Sequence, residues 1–249
     1  MPACAHCGFE LEVQADSCPL CGAPVAADGS AGAGPVAIDG PPVAWEDPAV
    51  PFPANFVRTY TSIIGGPSRF FAHVPFDRPL ARPILFYLIV VIVAAFLSLL
   101  VTSLLGVPEG FEQALGSYDI GVELSTGAVA LLTFFITPFV LLFGLLINSL
   151  VIHLFVAMLI RGRRPMGATA RVLCYSIAPY PIAVIPFIGP LVSTIWITVL
   201  VIFGLRDAHR TTIGRSAAAV LIPLAILTLL TILYLLFVFA LLLSVAEPS

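Results

Sequence analysis

The residues best equipped for chemistry in this chain are four cysteines near its start, in "CAHCGFELEVQADSCPLCG". Cys4-x-x-Cys7 and Cys18-x-x-Cys21 each have the spacing that wraps a turn, so that two thiolates reach one metal ion at about 2.3 Å. Gly8 and Gly22 follow the two pairs, where a knuckle turn often needs positive φ. The pairs together supply four sulfurs for tetrahedral zinc, and the closed set leaves no open position for catalysis. The expectation is a structural zinc ribbon over residues 1–24, with one Zn²⁺ per chain held by Cys4, Cys7, Cys18 and Cys21. A module this small has little core, so metal binding supplies most of its folding free energy. A redox pair or disulfides are the alternatives, and a cytoplasmic N-terminus argues against disulfides. His6 reads as solvated, and Cys174, alone in an apolar stretch, reads as a small packing residue.

Elsewhere the chemistry is sparse. His153 is the ionisable residue well inside an apolar run, and Arg171 sits near the end of one, where it can snorkel. No Asp or Glu lies between Glu123 and Asp207. That removes proton-relay carboxylates, carboxylate cation sites and aspartyl proteases from this region, and no H-E-x-x-H or G-x-S-x-G occurs. The chain is expected not to be an enzyme. Asn148, Ser149 and His153 form a possible intramembrane polar cluster, with Ser149 and His153 at i, i+4 on one helix face. It reads either as a polar substrate site or as hydrogen bonding between helices near an interface.

Composition dictates what must position these residues. Apolar residues make up 59% of the chain and charged ones 10%, against roughly a quarter charged in a soluble domain. A soluble core cannot use that much apolar surface, so the class is an all-α polytopic membrane protein. The net charge of −3 carries no basic bias toward nucleic acid, and none is expected as a partner. Arginine supplies every basic charge and lysine is absent, which with the abundant Ala, Gly, Pro and Val suggests a bacterial source. The first residues hold neither a basic n-region nor an apolar h-region, so the first spans are expected to act as insertion signals.

Residues 25–51, rich in Ala, Gly, Pro and Asp, read as a disordered linker of roughly 27 residues with a reach of about 30 Å. Residues 52–83 read as interfacial amphipathic helices, with Phe52, Phe56 and Tyr60 at helical spacing and Gly65-Gly66-Pro67 as a stop. The alternative for these helices is packing against the membrane bundle. Residues 84–249 form the membrane domain, with spans expected at about 84–105, 128–160, 166–185, 190–205 and 217–245.

Charge decides between topologies. Arg78 and Arg82, then Arg161, Arg163 and Arg164, then Arg206, Arg210 and Arg215 make three basic clusters, whereas the loop after the first span carries none. Short arginine-rich loops stay in the cytoplasm, so an even number of crossings separates consecutive clusters. The run 128–160 is then one helix, and 166–205 must cross twice. Pro186-Phe-Ile-Gly-Pro190 supplies the turn, with Gly189 tolerating positive φ and Pro190 opening a helix. A five-span bundle results, N-terminus in and C-terminus out. A re-entrant loop over 175–190 keeps the same sidedness and stays open.

The stretch "CYSIAPYPIAVIPFIGPLVSTIWITVLVIFGLRDAH" resembles the Yip family of multispan proteins, named for interaction with Ypt/Rab GTPases. Tyr175, Ser176 and Pro179 match that family's Gly-Tyr-Ser-x-x-Pro, with Cys174 where glycine would stand. "Pro-Ser-Arg-Phe-Phe" at 67–71 and "Ala-Trp-Glu-Asp" at 44–47 resemble segments before the first span in bacterial members. The resemblance covers about residues 44–245 and implies five spans, a cytosolic N-terminus and a non-enzymatic role in membrane organisation or trafficking. The eukaryotic Asp-Leu-Tyr-Gly-Pro signature is absent, so GTPase binding is not carried over. The leading reading is a membrane scaffold or adaptor in a bacterial cytoplasmic membrane. It meets the lipid bilayer through its spans and a cytoplasmic protein partner through the zinc ribbon. The alternative is a small transporter or lipid-handling protein that uses its proline-broken spans as a gate.

Overall fold

Long uncharged runs become helices in an apolar surrounding because only a helix satisfies every backbone N–H and C=O within the segment. The computed structural model describes residues 43–105, 126–160 and 162–246. They form α1 (Ala54–Gly65), α2 (Pro67–Ala72), α3 (Ala81–Leu105), α4 (Thr126–Leu159) and α5 (Met166–Ser176). A 3-10 segment (Tyr180–Val184), α6 (Ile188–Ala208) and α7 (Ile213–Ala246) complete them. No strand occurs among the described residues. The expected zinc ribbon and the first part of the linker lie outside them.

Among the described residues four helices, α3, α4, α6 and α7, are each long and apolar enough to cross a membrane. The run expected at 128–160 is one helix of 34 residues, with Pro138 inside it. Its length is about 50 Å at 1.5 Å per residue, so it exceeds a bilayer core. The outer faces of α4 and α7 carry Phe135, Phe139, Phe143, Leu233 and Phe237, all well exposed. Such a surface suits lipid, not water.

The core sits toward one end of the bundle. Phe86, Val90 and Val91 of α3 meet Ile152 and Val156 of α4, Val172 and Tyr175 of α5, and Leu200 and Leu205 of α6. The Tyr87 hydroxyl donates to the Leu141 carbonyl at 2.7 Å and ties α3 to α4.

The arm before α6 differs from the expected helix over 166–185. Its α-helix ends at Ser176 and resumes as the 3-10 segment at Tyr180. The cause is local: Pro179 and Pro181 lack amide hydrogens, so an α-helical ladder through them would lose bonds and clash. The composite arm still runs antiparallel to α6. A Cβ placed on Gly204 would collide with Val172, and one placed on Gly189 would collide with the Ile182 carbonyl oxygen. From 189 to 204 the α6 axis advances about 22 Å, so the arm follows most of that helix before it turns.

The turn itself is built differently from the expectation. Phe187, not Gly189, takes the positive φ, at 65°. Gly189 lies inside α6, where its missing side chain admits the Ile182 carbonyl. Pro190 falls in the first turn of α6, where its absent N–H breaks no helical bond.

Residues 43–51 correct the expected linker of 25–51. Trp45 is only 3% exposed and Glu46 only 9%. The Trp45 indole donates to the Arg82 carbonyl at 2.6 Å, and its backbone N–H donates to Thr59 Oγ1 at 2.9 Å. An aromatic and a carboxylate that find partners outweigh a composition that favours disorder. Helices α1 and α2 also join the bundle, with Ile63, Phe70 and Phe71 buried while Phe52 and Val57 face outward.

Candidate functional site

The deepest polar site joins residues far apart in sequence. A turn closed by Glu46 N–H on the Val43 carbonyl at 2.8 Å sets Glu46 against the bundle. Arg171 and Tyr175 stand at i, i+4 on α5 and so present one face. Of the three guanidinium nitrogens of Arg171, Nε has no partner among the described residues, and one of the two terminal nitrogens donates to Glu46 Oε1. The other donates to the Arg78 carbonyl at 2.5 Å and the Pro79 carbonyl at 2.7 Å. The Tyr175 hydroxyl donates to the same Glu46 oxygen at 2.5 Å. The Arg171 side chain is wholly buried and that of Glu46 is 4% exposed. A buried charge of this kind is tolerable only when paired and hydrogen-bonded.

Aromatic rings wall the pair. Phe70 and Phe86 each lie 5.3 Å from the Tyr175 ring, centroid to centroid, and Trp45 lies 6.0 Å from Phe86. The site therefore ties residues 43–47, the loop before α3, and α5 into one unit. Nothing in it resembles a nucleophile with a base. Its chemistry is that of a latch.

A second polar chain lies nearby. The Arg164 backbone N–H donates to His209 Nδ1 at 3.2 Å. An amide can only donate, so Nδ1 accepts and the proton of a neutral His209 sits on Nε2. Nε2 then donates to Thr169 Oγ1 at 3.0 Å, and the Thr169 hydroxyl donates to His153 Nδ1 at 2.9 Å. The chain thus has a single direction, from the α4–α5 loop toward the interior of α4. Burial pushes the His209 pKa down to about 4, with His153, Arg164 and Arg163 adding smaller repulsions.

A third contact fixes α2 to α6. Arg206 grips the neighbouring Asp207 through two bonds, at 2.8 and 2.9 Å, and reaches Ser68 Oγ at 2.9 Å. These bonds also gather the basic clusters. Arg164 lies 3.2 Å from Asp77, beside Arg78, and its backbone meets His209, beside Arg206 and Arg210. Arg78, Arg164 and Arg206, one from each arginine cluster, therefore lie toward one end of the bundle.

The structure treats the sequence-derived candidates unequally. Tyr175, Ser176 and Pro179 lie together, Tyr175 in the latch and Pro179 capping the 3-10 segment. The buried Ser176 hydroxyl has no partner among the described residues. Asn148, Ser149 and His153 do not converge: Asn148 is exposed, Ser149 is buried without a partner among the described residues, and only His153 joins a network. Arg171 does not snorkel, because Glu46 and two carbonyls meet it inside. Cys174 is a free buried thiol in the core, as its apolar surroundings suggest. Cys4, Cys7, Cys18 and Cys21 lie outside the described residues.

The Yip1 domain family model matches residues 63–245. The chain belongs to the Yip1 domain family. No curated protein and no solved structure gives a match. The Yip1 domain match takes in α2 to α7 apart from the last residue of α7, and it holds Arg171, Tyr175, His153 and His209. Glu46 lies before the matched stretch. The carboxylate of the latch is thus delivered to the Yip1 domain from outside it, by the segment that leads from the cysteine pairs.

Proposed function

We propose that this Yip1-family membrane protein is a scaffold or adaptor of membrane organisation or trafficking. Its bundle presents a zinc ribbon at the arginine-bearing end, and the ribbon binds a protein partner. The observation that carries the reading is the latch: Glu46 on Arg171 and Tyr175 anchors the chain just after the ribbon and its linker. With residues 43–51 anchored, about 18 residues (25–42) remain as tether, and as a random coil their reach is about 23 Å. That range holds the ribbon close to the bundle while leaving its surface open to a partner.

The proposal includes one structural Zn²⁺ per chain on Cys4, Cys7, Cys18 and Cys21, five membrane crossings, and the arginine end in the cytoplasm of a bacterium. The arginine clusters support that sidedness through their insertion preference. The composite arm of α5 and the 3-10 segment counts as the third crossing, because it follows α6 over about 22 Å. No GTPase partner is proposed, and the role proposed is non-enzymatic.

The test is site-specific photo-crosslinking from the ribbon in cells, run in parallel on the native chain, Cys4→Ser/Cys7→Ser and Glu46→Gln. One defined adduct should form in the native chain, disappear without zinc, and weaken when the latch is loosened. Identical adduct patterns in all three would remove the adaptor reading. Metal analysis of the purified full chain should give one zinc per protein, and less than half an equivalent would remove the ribbon.

A further inference from the structure

Beside the latch, the loop before α3 and the start of α5 flank an open-sided hollow of about 360 Å³ that neither the latch nor the histidine chain fills. Its walls include Phe76, Asp77, Arg78, Arg164, Pro165 and Gly167. The size falls within the usual range of small-ligand sites. Two of its side chains are guanidinium groups. Arg164 is held by Asp77 at 3.2 Å and lies over the Phe76 ring, 5.6 Å from its centroid. That single bond to a mostly exposed carboxylate leaves the rest of the guanidinium fork free to bind. The Arg78 guanidinium has no partner among the described residues; only its backbone is engaged, by Arg171 and by Pro75.

The backbone adds to the same field. Gly167 is the second residue of α5, so its N–H belongs to the first turn and has no acceptor within the helix. That helix end also carries a partial positive charge. Arg164 is anchored through its own amide by His209, so its position does not depend on the side chain alone. Two arginines outnumber the single carboxylate of Asp77, and with a helix start and an apolar floor they form a site for a tetrahedral oxyanion, which accepts several charge-assisted bonds at once.

We propose that this cavity binds a phosphate group, carried by the headgroup of an anionic membrane lipid or present as free phosphate. The cavity lies on the loop that leads into α3 and at the start of α5, so a lipid headgroup would reach it at the arginine-bearing end of the bundle. Basic pockets between helices are suited to such headgroups. The inference does not depend on the ribbon or its partner.

The full chain would be purified in nanodiscs of phosphatidylcholine with a minor share of phosphatidylglycerol, and retained lipids counted by native mass spectrometry. The native protein should enrich phosphatidylglycerol. The variants Arg78→Gln and Arg164→Gln should each lose about fivefold in enrichment, and the pair together about 25-fold, following the usual contribution of one basic residue. Arg58→Gln, on the exposed side of α1, should behave as the native chain. In a parallel arm without anionic lipid, inorganic phosphate is titrated against thermal unfolding in phosphatidylcholine nanodiscs. Stabilisation that needs Arg78 and Arg164, with no lipid enrichment, assigns free phosphate as the source. Lipid enrichment without phosphate stabilisation assigns the headgroup.

Gly167→Asp guards against a variant that fails to fold. A Cβ there meets nothing within 4 Å, and an acidic residue suits a helix start, yet its charge opposes an anion. It should unfold at the native temperature and lose both forms of binding. The proposal is overturned if the arginine pair and Gly167→Asp bind as the native chain does, or if Arg58→Gln loses as much as they do.

Discussion

Glu46→Ala is the substitution that tests the latch most directly. It leaves the Arg171 guanidinium buried with only the carbonyls of Arg78 and Pro79, and leaves the Tyr175 hydroxyl without an acceptor. Removing one member of a buried ion pair costs about 3–5 kcal/mol, because the remaining charge stays desolvated. The two carbonyls soften the loss of charge, whereas the stranded hydroxyl adds about 1–3 kcal/mol. The sum is about 4 kcal/mol. For a domain of this size that corresponds to a fall in unfolding temperature of about 8–16 °C. The measurement is thermal unfolding in detergent micelles at one scan rate, with limited proteolysis of residues 43–51 followed separately. Arg171→Met should cost a similar amount. The double variant Glu46→Ala/Arg171→Met removes both charges and should cost clearly less than the two single losses together, although the Tyr175 hydroxyl still lacks its acceptor. If the single effects simply add, with a coupling below about 1 kcal/mol, the pair does not act as a unit and the latch is refuted. Proteolysis supplies a second readout: in Glu46→Ala the segment 43–51 should be cut at temperatures where α3 to α7 are still intact.

The remaining predictions bear on packing, pH and topology. Gly204→Ala should destabilise the bundle by about 1–3 kcal/mol, because its methyl would collide with Val172 and lie 3.0 Å from Phe71 Cε1. Val172→Ala should restore part of that loss in the double variant, and a purely additive result would locate the clash elsewhere. His209 has its folded pKa depressed to about 4, so the unfolded chain binds the proton first. Stability from this group is therefore fully present above about pH 6.5 and falls as pH drops from there toward 4, by at most about 3 kcal/mol. Unfolding temperatures at descending pH should separate the native chain from His209→Gln in that window alone; parallel curves would contradict the buried neutral histidine. Phe187→Cys should label with impermeant maleimide from the face opposite the arginine clusters, since Phe187 is 97% exposed at the turn. Labelling only from the arginine side would replace the crossing hairpin by a re-entrant loop.

What the sequence made legible, and what it did not, follows from the range of the forces involved. Apolar length and the placement of arginines are local quantities, so they mark where long helices such as α3, α4, α6 and α7 can form and where a proline-bounded break such as 186–190 can interrupt them. They could not distinguish an α-helical arm from an α-helix followed by a 3-10 segment, because Pro179 and Pro181 permit several conformations and contact with α6 selects one. The same limit explains Gly189. Glycine in a turn suggests positive φ, yet here the close approach of the Ile182 carbonyl is what excludes a side chain, and Phe187 carries the unusual backbone instead. The latch was the larger omission. Composition over 25–51 averages to disorder, and an average hides two residues, Trp45 and Glu46, whose partners lie up to 129 positions away. One signal was present: Arg171 interrupts an apolar stretch that has no Asp or Glu from 124 to 206. A guanidinium that stays inside such a bundle must draw its carboxylate from elsewhere, and the "Ala-Trp-Glu-Asp" segment offered one next to a large aromatic ring. The consequence reaches function. Because the carboxylate comes from residues 43–47, ahead of the matched domain, any force that pulls on them acts on α5, and through Tyr175 and Val172 on the contact between α5 and α6. Here the anchor and the core share one ion pair, so the docking of residues 43–47 and the packing of α5 are coupled through the Glu46–Arg171 contact.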